Sequence, residues 1–324
     1  MKEVVKLNQF IQDSFESLYN EFNIRLQNSK LEDALSLIPL LLEKANKDID
    51  TFYTLMGEAT VLTNLNKNFD VLESYDEIID RFKDTKDRTI FKFLAYAYFN
   101  KALIYAKQKE FKEELKTYDI LLENYITDIS DELEIVLAKA YINKAICVGE
   151  LKEPKDTISI YNELIKNFEN SDDESVQLQV VFAACNTASV FTQYNEHEEA
   201  IKSYDYVVSH FENSANKKII ELVAKSLVNK ASRLKDLHKN VKALEVYDEV
   251  VRRFENYEDK ILNQVALALH NKSVLLGVLH REDELFKVCD KIIERFSNSH
   301  DEMIKNIVST AQIIKDKEKY NTSF

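Results

Sequence analysis

The sequence is poor in the residues that interrupt helices. Three glycines and two prolines in 324 residues leave few places where a helix must stop, which points to an all-α protein. Glycine is also too scarce for a phosphate-cradling loop. Tryptophan is absent, and the three cysteines, Cys147, Cys185 and Cys289, are odd in number and lack CxxC spacing. That pattern argues against a disulfide framework and for reduced thiols in a cytosol. Long apolar runs are missing too. The richest, Ala34 to Leu42, is too short to span a bilayer, and the N-terminal stretch MKEVVKLNQFIQDSFESLYNEF has no uninterrupted apolar core of the signal-peptide kind. A cytoplasmic protein without membrane contact is expected.

What is present is charge and periodicity. Apolar residues make up 45% and charged residues 31% of the chain, a soluble composition, and the net charge of -13 is spread along it. An acidic surface of this kind repels phosphate backbones, so nucleic acid is not an expected partner. The periodicity lies in YDEVVRRF from Tyr247. Copies occur as YDEIIDRF from Tyr75, YDILLENY from Tyr118, YNELIKNF from Tyr161, YDYVVSHF from Tyr204 and CDKIIERF from Cys289, with starts 43, 43, 43, 43 and 42 residues apart. Such a period marks an array of helical repeats, in which each repeat packs only on its neighbours. A single array over residues 1–324 is expected, with about seven helix pairs over 10–297 and a capping helix over 300–319.

Each unit reads as two apolar-periodic segments, a first and a second helix, of roughly 17 to 19 residues or about 27 Å. In one unit the first helix spans about Asp131 to Lys152 and buries Leu137, Tyr141, Ala145, Val148 and Leu151 at helical spacing. The second then runs from Pro154, acceptable in a first turn, to Phe168. Asp131 with Glu134, Ser171 with Glu174 and Ser299 with Glu302 have capping-box spacing. Upstream, an extra repeat starting near Phe10 aligns Asn20 with Asn100 and Ile38 with Tyr118, and Pro39 should kink its second helix. The next unit, FYTLMGEATVLTNLNKNFDVLESYDEIIDRF, aligns with a one-residue slip in its turn.

These units resemble the tetratricopeptide repeat. Tyr98, Ala102, Tyr105, Phe111 and Tyr118 occupy that family's pattern of large, small and aromatic positions, with corresponding small residues at Ala145, Ala188, Ala231 and Ser273, and at Ala34, Ala200 and Ala243 in the second helices. The unit departs from the family in its length, in the missing helix-ending proline, and in Lys101, Lys144, Lys230 and Lys272, which stand where a leucine is usual. The resemblance implies a right-handed α-solenoid whose first helices line a concave groove.

One polar row recurs on the first helices: Asn100, Asn143, Asn186, Asn229 and Asn271, with Asn20 as a candidate first rung. The resemblance implies that such asparagines hydrogen-bond the backbone of an extended peptide, and a carboxamide offers an acceptor beside two donors. At about 0.5 to 1.5 kcal/mol each, five rungs sum to roughly 2.5 to 7.5 kcal/mol, against about 8 kcal/mol for micromolar binding. Lys139 and Lys225, one turn ahead of their asparagines, are candidates for holding an acidic feature of the partner. The alternative is that the asparagines bond neighbouring helices. The tyrosines Tyr75, Tyr118, Tyr161, Tyr204 and Tyr247 read as core, and Asp76, Asp119, Asp205 and Asp248 beside them as a solvated outer row.

No catalytic or metal constellation stands out. His197, His210, His238, His270, His280 and His300 lack metal-ligand spacing, and no cofactor is expected. The expected role is a non-enzymatic scaffold that binds a protein or peptide segment. A peptide-responsive signalling sensor and a self-associating structural scaffold, a homo-oligomer, are the alternatives.

Overall fold

The computed structural model describes residues 14–127 and 131–321, and the described residues contain helices and their connections without a strand. The expected start at Phe10 and the Asp131 side chain fall outside the described set. The chain divides into two compact units, residues 1–153 and 154–324.

In the first unit, α1 (Phe15–Gln27) is followed by a broken second helix, α2 (Leu31–Leu35) and α3 (Ile38–Lys44). Two helix pairs come next, α4 (Asp48–Asn64) with α5 (Asn68–Phe82) and α6 (Arg88–Gln108) with α7 (Phe111–Tyr125), and α8 (Asp131–Glu150) packs on α7. The second unit opens on α9 (Pro154–Phe168) and continues with the pairs α10 (Glu174–Gln193) and α11 (His197–Phe211), α12 (Lys217–Asp236) and α13 (Asn240–Phe254), and α14 (Asp259–Val278) and α15 (Glu282–Phe296). It closes on α16 (Glu302–Asn321), packed against α15 and α14.

The recurring octapeptide supplies the buried stripe of every second helix from α5 onward. Its first, fourth and eighth residues lie on one helical face, and all are buried: Tyr75, Ile78 and Phe82 in α5, Tyr118, Leu121 and Tyr125 in α7, Tyr161, Leu164 and Phe168 in α9, Tyr204, Val207 and Phe211 in α11, Tyr247, Val250 and Phe254 in α13, and Cys289, Ile292 and Phe296 in α15. Fully burying one large apolar side chain contributes about 1.5 to 3 kcal/mol. The repeat is therefore a packing unit first. In α8, Leu137, Tyr141, Ala145 and Val148 are buried as expected, but Leu151 is 43% exposed because the helix ends at Glu150 and leaves it in the turn.

Each first helix leads into its second through one residue with positive φ: Ser29, Asn66, Lys109, Lys152, Asn195, His238 and His280. Each second helix, α2 included, begins two residues later. Asn66 stands in the same place as the others, so the second unit needs no slip in its turn. None of these residues is glycine, although a left-handed conformation costs an L-residue about 1 to 2 kcal/mol.

Helix starts differ from the expected capping boxes. Asp173 accepts from the backbone N–H groups of Ser175 and Val176, and Asp301 from those of Met303 and Ile304. Ser171 and Ser299 accept instead from the N–H of those aspartates. Thr85 with Asp87 and Ser214 with Asn216 repeat the arrangement. The cap is thus the Asp or Asn two residues after a Ser or Thr. Pro39 sits in the first turn of α3, and the helix breaks ahead of it at Ser36–Leu37 rather than bending around it, as expected for a ring that clashes with the carbonyl one turn earlier.

Candidate functional site

The asparagine row from Asn100 to Asn271 lies on the first helices, half-buried, beside the tyrosines of the preceding second helices. Asn186 Nδ2 on α10 donates to Tyr161 Oη on α9 at 3.2 Å. Asn100 faces Tyr75, Asn229 faces Tyr204 and Asn271 faces Tyr247 in the same relation. Burial pushes each of those phenols above its ordinary pKa, and the carboxamide works against that rise. Tyr118 is completely buried and is raised by the same cause. Asn143 faces it without closing a bond of normal geometry, leaving the Tyr118 hydroxyl without a partner among the described residues.

A second row runs one residue further along both helices. Lys144 Nζ lies 2.8 Å from Asp119, Lys230 2.5 Å from Asp205 and Lys315 3.0 Å from Asp290, while Lys101 pairs with Asp76 and Lys272 with Asp248. The lysines in leucine positions are thereby explained. The expected solvated row of aspartates is corrected: Asp76, Asp119, Asp205 and Asp248 are half-exposed partners in ion pairs between repeats. The carboxylate brings the amine across the junction, and the lysine stem lies along the apolar surface.

Within each row the two partners are lost together. The tyrosine stands nine residues after the left-handed residue of its own repeat and the asparagine nine before that of the next. Ile38 occupies the tyrosine position in the first repeat, and its partner position is Gly57. Cys289 occupies it in the last, and its partner is Ile314. Without a hydroxyl there is no carboxamide. Where Asp is replaced by Pro39 or Asn162, the lysine is replaced by Glu58 or Thr187. At Gly57 the space is filled, since a Cβ there would come within 2.9 Å of the Phe22 ring. Asn20, at the same place in α1, precedes every tyrosine of the pattern.

Other candidates stand apart from these rows. Lys139 on α8 and Lys225 on α12 are exposed, one turn ahead of Asn143 and Asn229. Cys147 and Cys289 are buried, Cys185 is half-buried, and none of the three is in a disulfide. Glu114, fully buried on α7 where other second helices carry Ala34, Ala200 and Ala243, has its carboxyl pushed up by burial, with Cys147 opposing the rise through a hydrogen bond. Among the described residues no group of three or more His, Cys, Asp or Glu side chains is placed to hold a metal ion, and no helix is long and apolar enough to cross a membrane.

The first helices also carry half of the exposed large apolar side chains of the described residues. In the first unit these are Ile24, Phe93, Leu103 and Ile146; in the second, Phe182, Val274 and Val278, with Met303 and Ile313 on the closing α16. Leu103, Ile146 and Val274 hold the same repeat position, six residues before the turn.

No family model matches the sequence, and no curated protein does. Solved structures do. The C-terminal part of a tetratricopeptide-repeat-containing protein from Cytophaga hutchinsonii matches with a TM-score of 0.60 at 11% identity, over 90% of this chain and 99% of that one. The apo form of RapI matches with a TM-score of 0.59 at 18% identity, over 95% of this chain and 86% of that one. BtubC from P. vanneervenii gives 0.51 at 14% identity, over 71% and 92%. With paired helices, one left-handed turn per repeat and these neighbours, the chain has the helical-repeat fold of the tetratricopeptide-repeat proteins.

Proposed function

We propose that the protein is a cytoplasmic, non-catalytic interaction scaffold that takes an extended segment of a partner protein on the face formed by its first helices. The observation that carries this reading is the gathering of exposed apolar side chains on that face, Leu103 and Ile146 above all, between half-buried carboxamides. Surface apolar residues that recur at one repeat position are a binding feature more than a folding one. Each asparagine that serves a tyrosine keeps an acceptor oxygen and a second N–H, and the tyrosine holds that carboxamide in one orientation, which lowers the ordering cost on binding. Lys139 and Lys225 offer cations beside the row.

The test is affinity capture from native lysate with wild type and with a Leu103→Glu, Ile146→Glu variant, using Phe69→Glu with Val241→Glu, exposed on second helices, as a control of equal added charge. Partners held by wild type and the control but lost by the double variant would support the face. Identical partner sets for all three would refute it.

A further inference from the structure

The first unit carries a surface feature that the repeat pattern does not account for. Phe15 and Tyr19 on α1, Tyr53 on α4, and Phe93 and Tyr96 on α6 make a continuous run of ring contacts. Centroid distances are 5.6 Å for Phe15–Tyr19, 6.4 Å for Tyr19–Tyr53, 5.9 Å for Tyr53–Phe93 and 6.1 Å for Phe93–Tyr96. These rings come from three successive first helices, with Phe93 exposed and the others half-buried, Phe15 and Tyr19 resting on the edge of the core around Leu18 and Phe22. Core packing is supplied beneath them by Phe22, Phe52, Leu55 and Leu94.

Carboxylates stand beside the two tyrosines. Glu16 precedes Tyr19 by three residues and Asp50 precedes Tyr53 by three, so each tyrosine has a carboxylate one turn away on its own helical face. Neither carboxylate belongs to an ion pair among the described residues. At the far end Lys92 is neutralised by Glu132, whose backbone carbonyl accepts from Tyr96 Oη at 3.0 Å. Phe93, Tyr96 and Leu133, with Thr89 and the Lys92–Glu132 pair, line a recess of about 420 Å³ there. Ring faces and carboxylates attract the same thing. A cation over an aromatic face is held by the ring quadrupole, a guanidinium stacks flat on it, and a nearby carboxylate completes its charge. A purely apolar occupant would bury Glu16 and Asp50 without a counter-charge, and an acidic one would be repelled.

We infer that the Tyr19–Tyr53–Phe93 row docks a basic segment of a partner protein. Its Arg or Lys side chains lie over the two tyrosine rings against Glu16 and Asp50, and an apolar residue enters the recess beside Phe93. This rests on the reading of the first-helix face given above and names the chemistry of what binds there.

The test uses the full chain and three fluorescein-labelled nonapeptides, Arg-Leu-Ser, Gln-Leu-Ser and Glu-Leu-Ser each repeated three times, followed by fluorescence anisotropy. The arginine probe should bind at least tenfold more tightly than the glutamine probe, and the glutamate probe should not bind. Tyr19→Leu with Tyr53→Leu should weaken the arginine probe at least fivefold. Glu16→Gln with Asp50→Asn, exposed or half-exposed first-turn changes that leave the core intact, should weaken it severalfold with only a small fall in melting temperature. Equal binding of the arginine and glutamine probes would overturn the inference. So would undiminished binding to both variants, since that is general attraction to an acidic protein. A captured partner that needs Leu103 and Ile146 but binds through a segment without basic residues would overturn this inference and leave the broader reading standing.

Discussion

Asn186 on α10 reaches Tyr161 on α9 at 3.2 Å, and this bond joins one repeat to the next. A buried phenol without a partner costs more than the bond itself contributes, so Asn186 has a packing role before any ligand is considered. Replacing Asn186 with alanine should therefore lower stability by about 1 to 3 kcal/mol, read in a denaturant titration. Adding Tyr161→Phe to Asn186→Ala should cost less than the sum of the two single changes, because the second change removes the group that the first leaves unsatisfied. Additive costs would show that the two side chains do not depend on each other.

The junction between Asn162 and Thr187 can be converted to the common type. Thr187 is buried and its hydroxyl lacks a partner among the described residues, so Thr187→Lys alone should destabilise. Asn162→Asp should rescue it by about 0.5 to 1 kcal/mol, the range of a partly exposed ion pair, and the rescue should shrink in high salt. Absence of coupling in thermal melts would disprove the pairing rule.

Glu114 gives stability a pH dependence of known sign. Its carboxyl is raised above the ordinary 4.5 by burial, so the folded state holds the proton more tightly than the unfolded chain does. The contribution is fully present below 4.5 and is lost as pH rises through the raised value. Urea midpoints should fall over that interval on account of this group. Glu114→Gln should flatten the fall and be the more stable protein at pH 7.

Lys152 has φ of 62° in a turn. Lys152→Gly should relieve about 1 to 2 kcal/mol of left-handed strain at an entropic cost of roughly 0.5 to 1 kcal/mol. A rise in melting temperature is expected. A fall would mean that the lysine side chain holds the turn by contacts of its own.

The repeat, the helix pairs and the buried tyrosines were readable from the octapeptide because its apolar positions match one helical face. Pro154 at a helix start and the interruption near Pro39 were readable from ring geometry. The caps were misplaced by two residues, since Ser171 and Ser299 compete with Asp173 and Asp301 for the same backbone donors and only the fold shows which oxygen wins. The role of the asparagines was visible in principle. Ile38 with Gly57, and Cys289 with Ile314, lose both members of the pair, but seeing that requires comparing positions 19 to 25 residues apart across a repeat boundary. Of the aromatic row only Tyr53 and Tyr96, one 43-residue period apart, had a linear signature, because the other rings hold different repeat positions on three helices.

The matched edges also bear on how an array of this kind changes length. Were α6 and α7 deleted, Tyr75 and Asp76 of α5 would meet Asn143 and Lys144 of α8, the partners they already prefer in kind. A repeat bounded by such edges can be lost or copied without leaving a mismatched seam. The pairs at Ile38–Gly57 and Cys289–Ile314 fit no internal neighbour, so growth and loss are confined to the repeats between them, and the two outermost junctions keep their places.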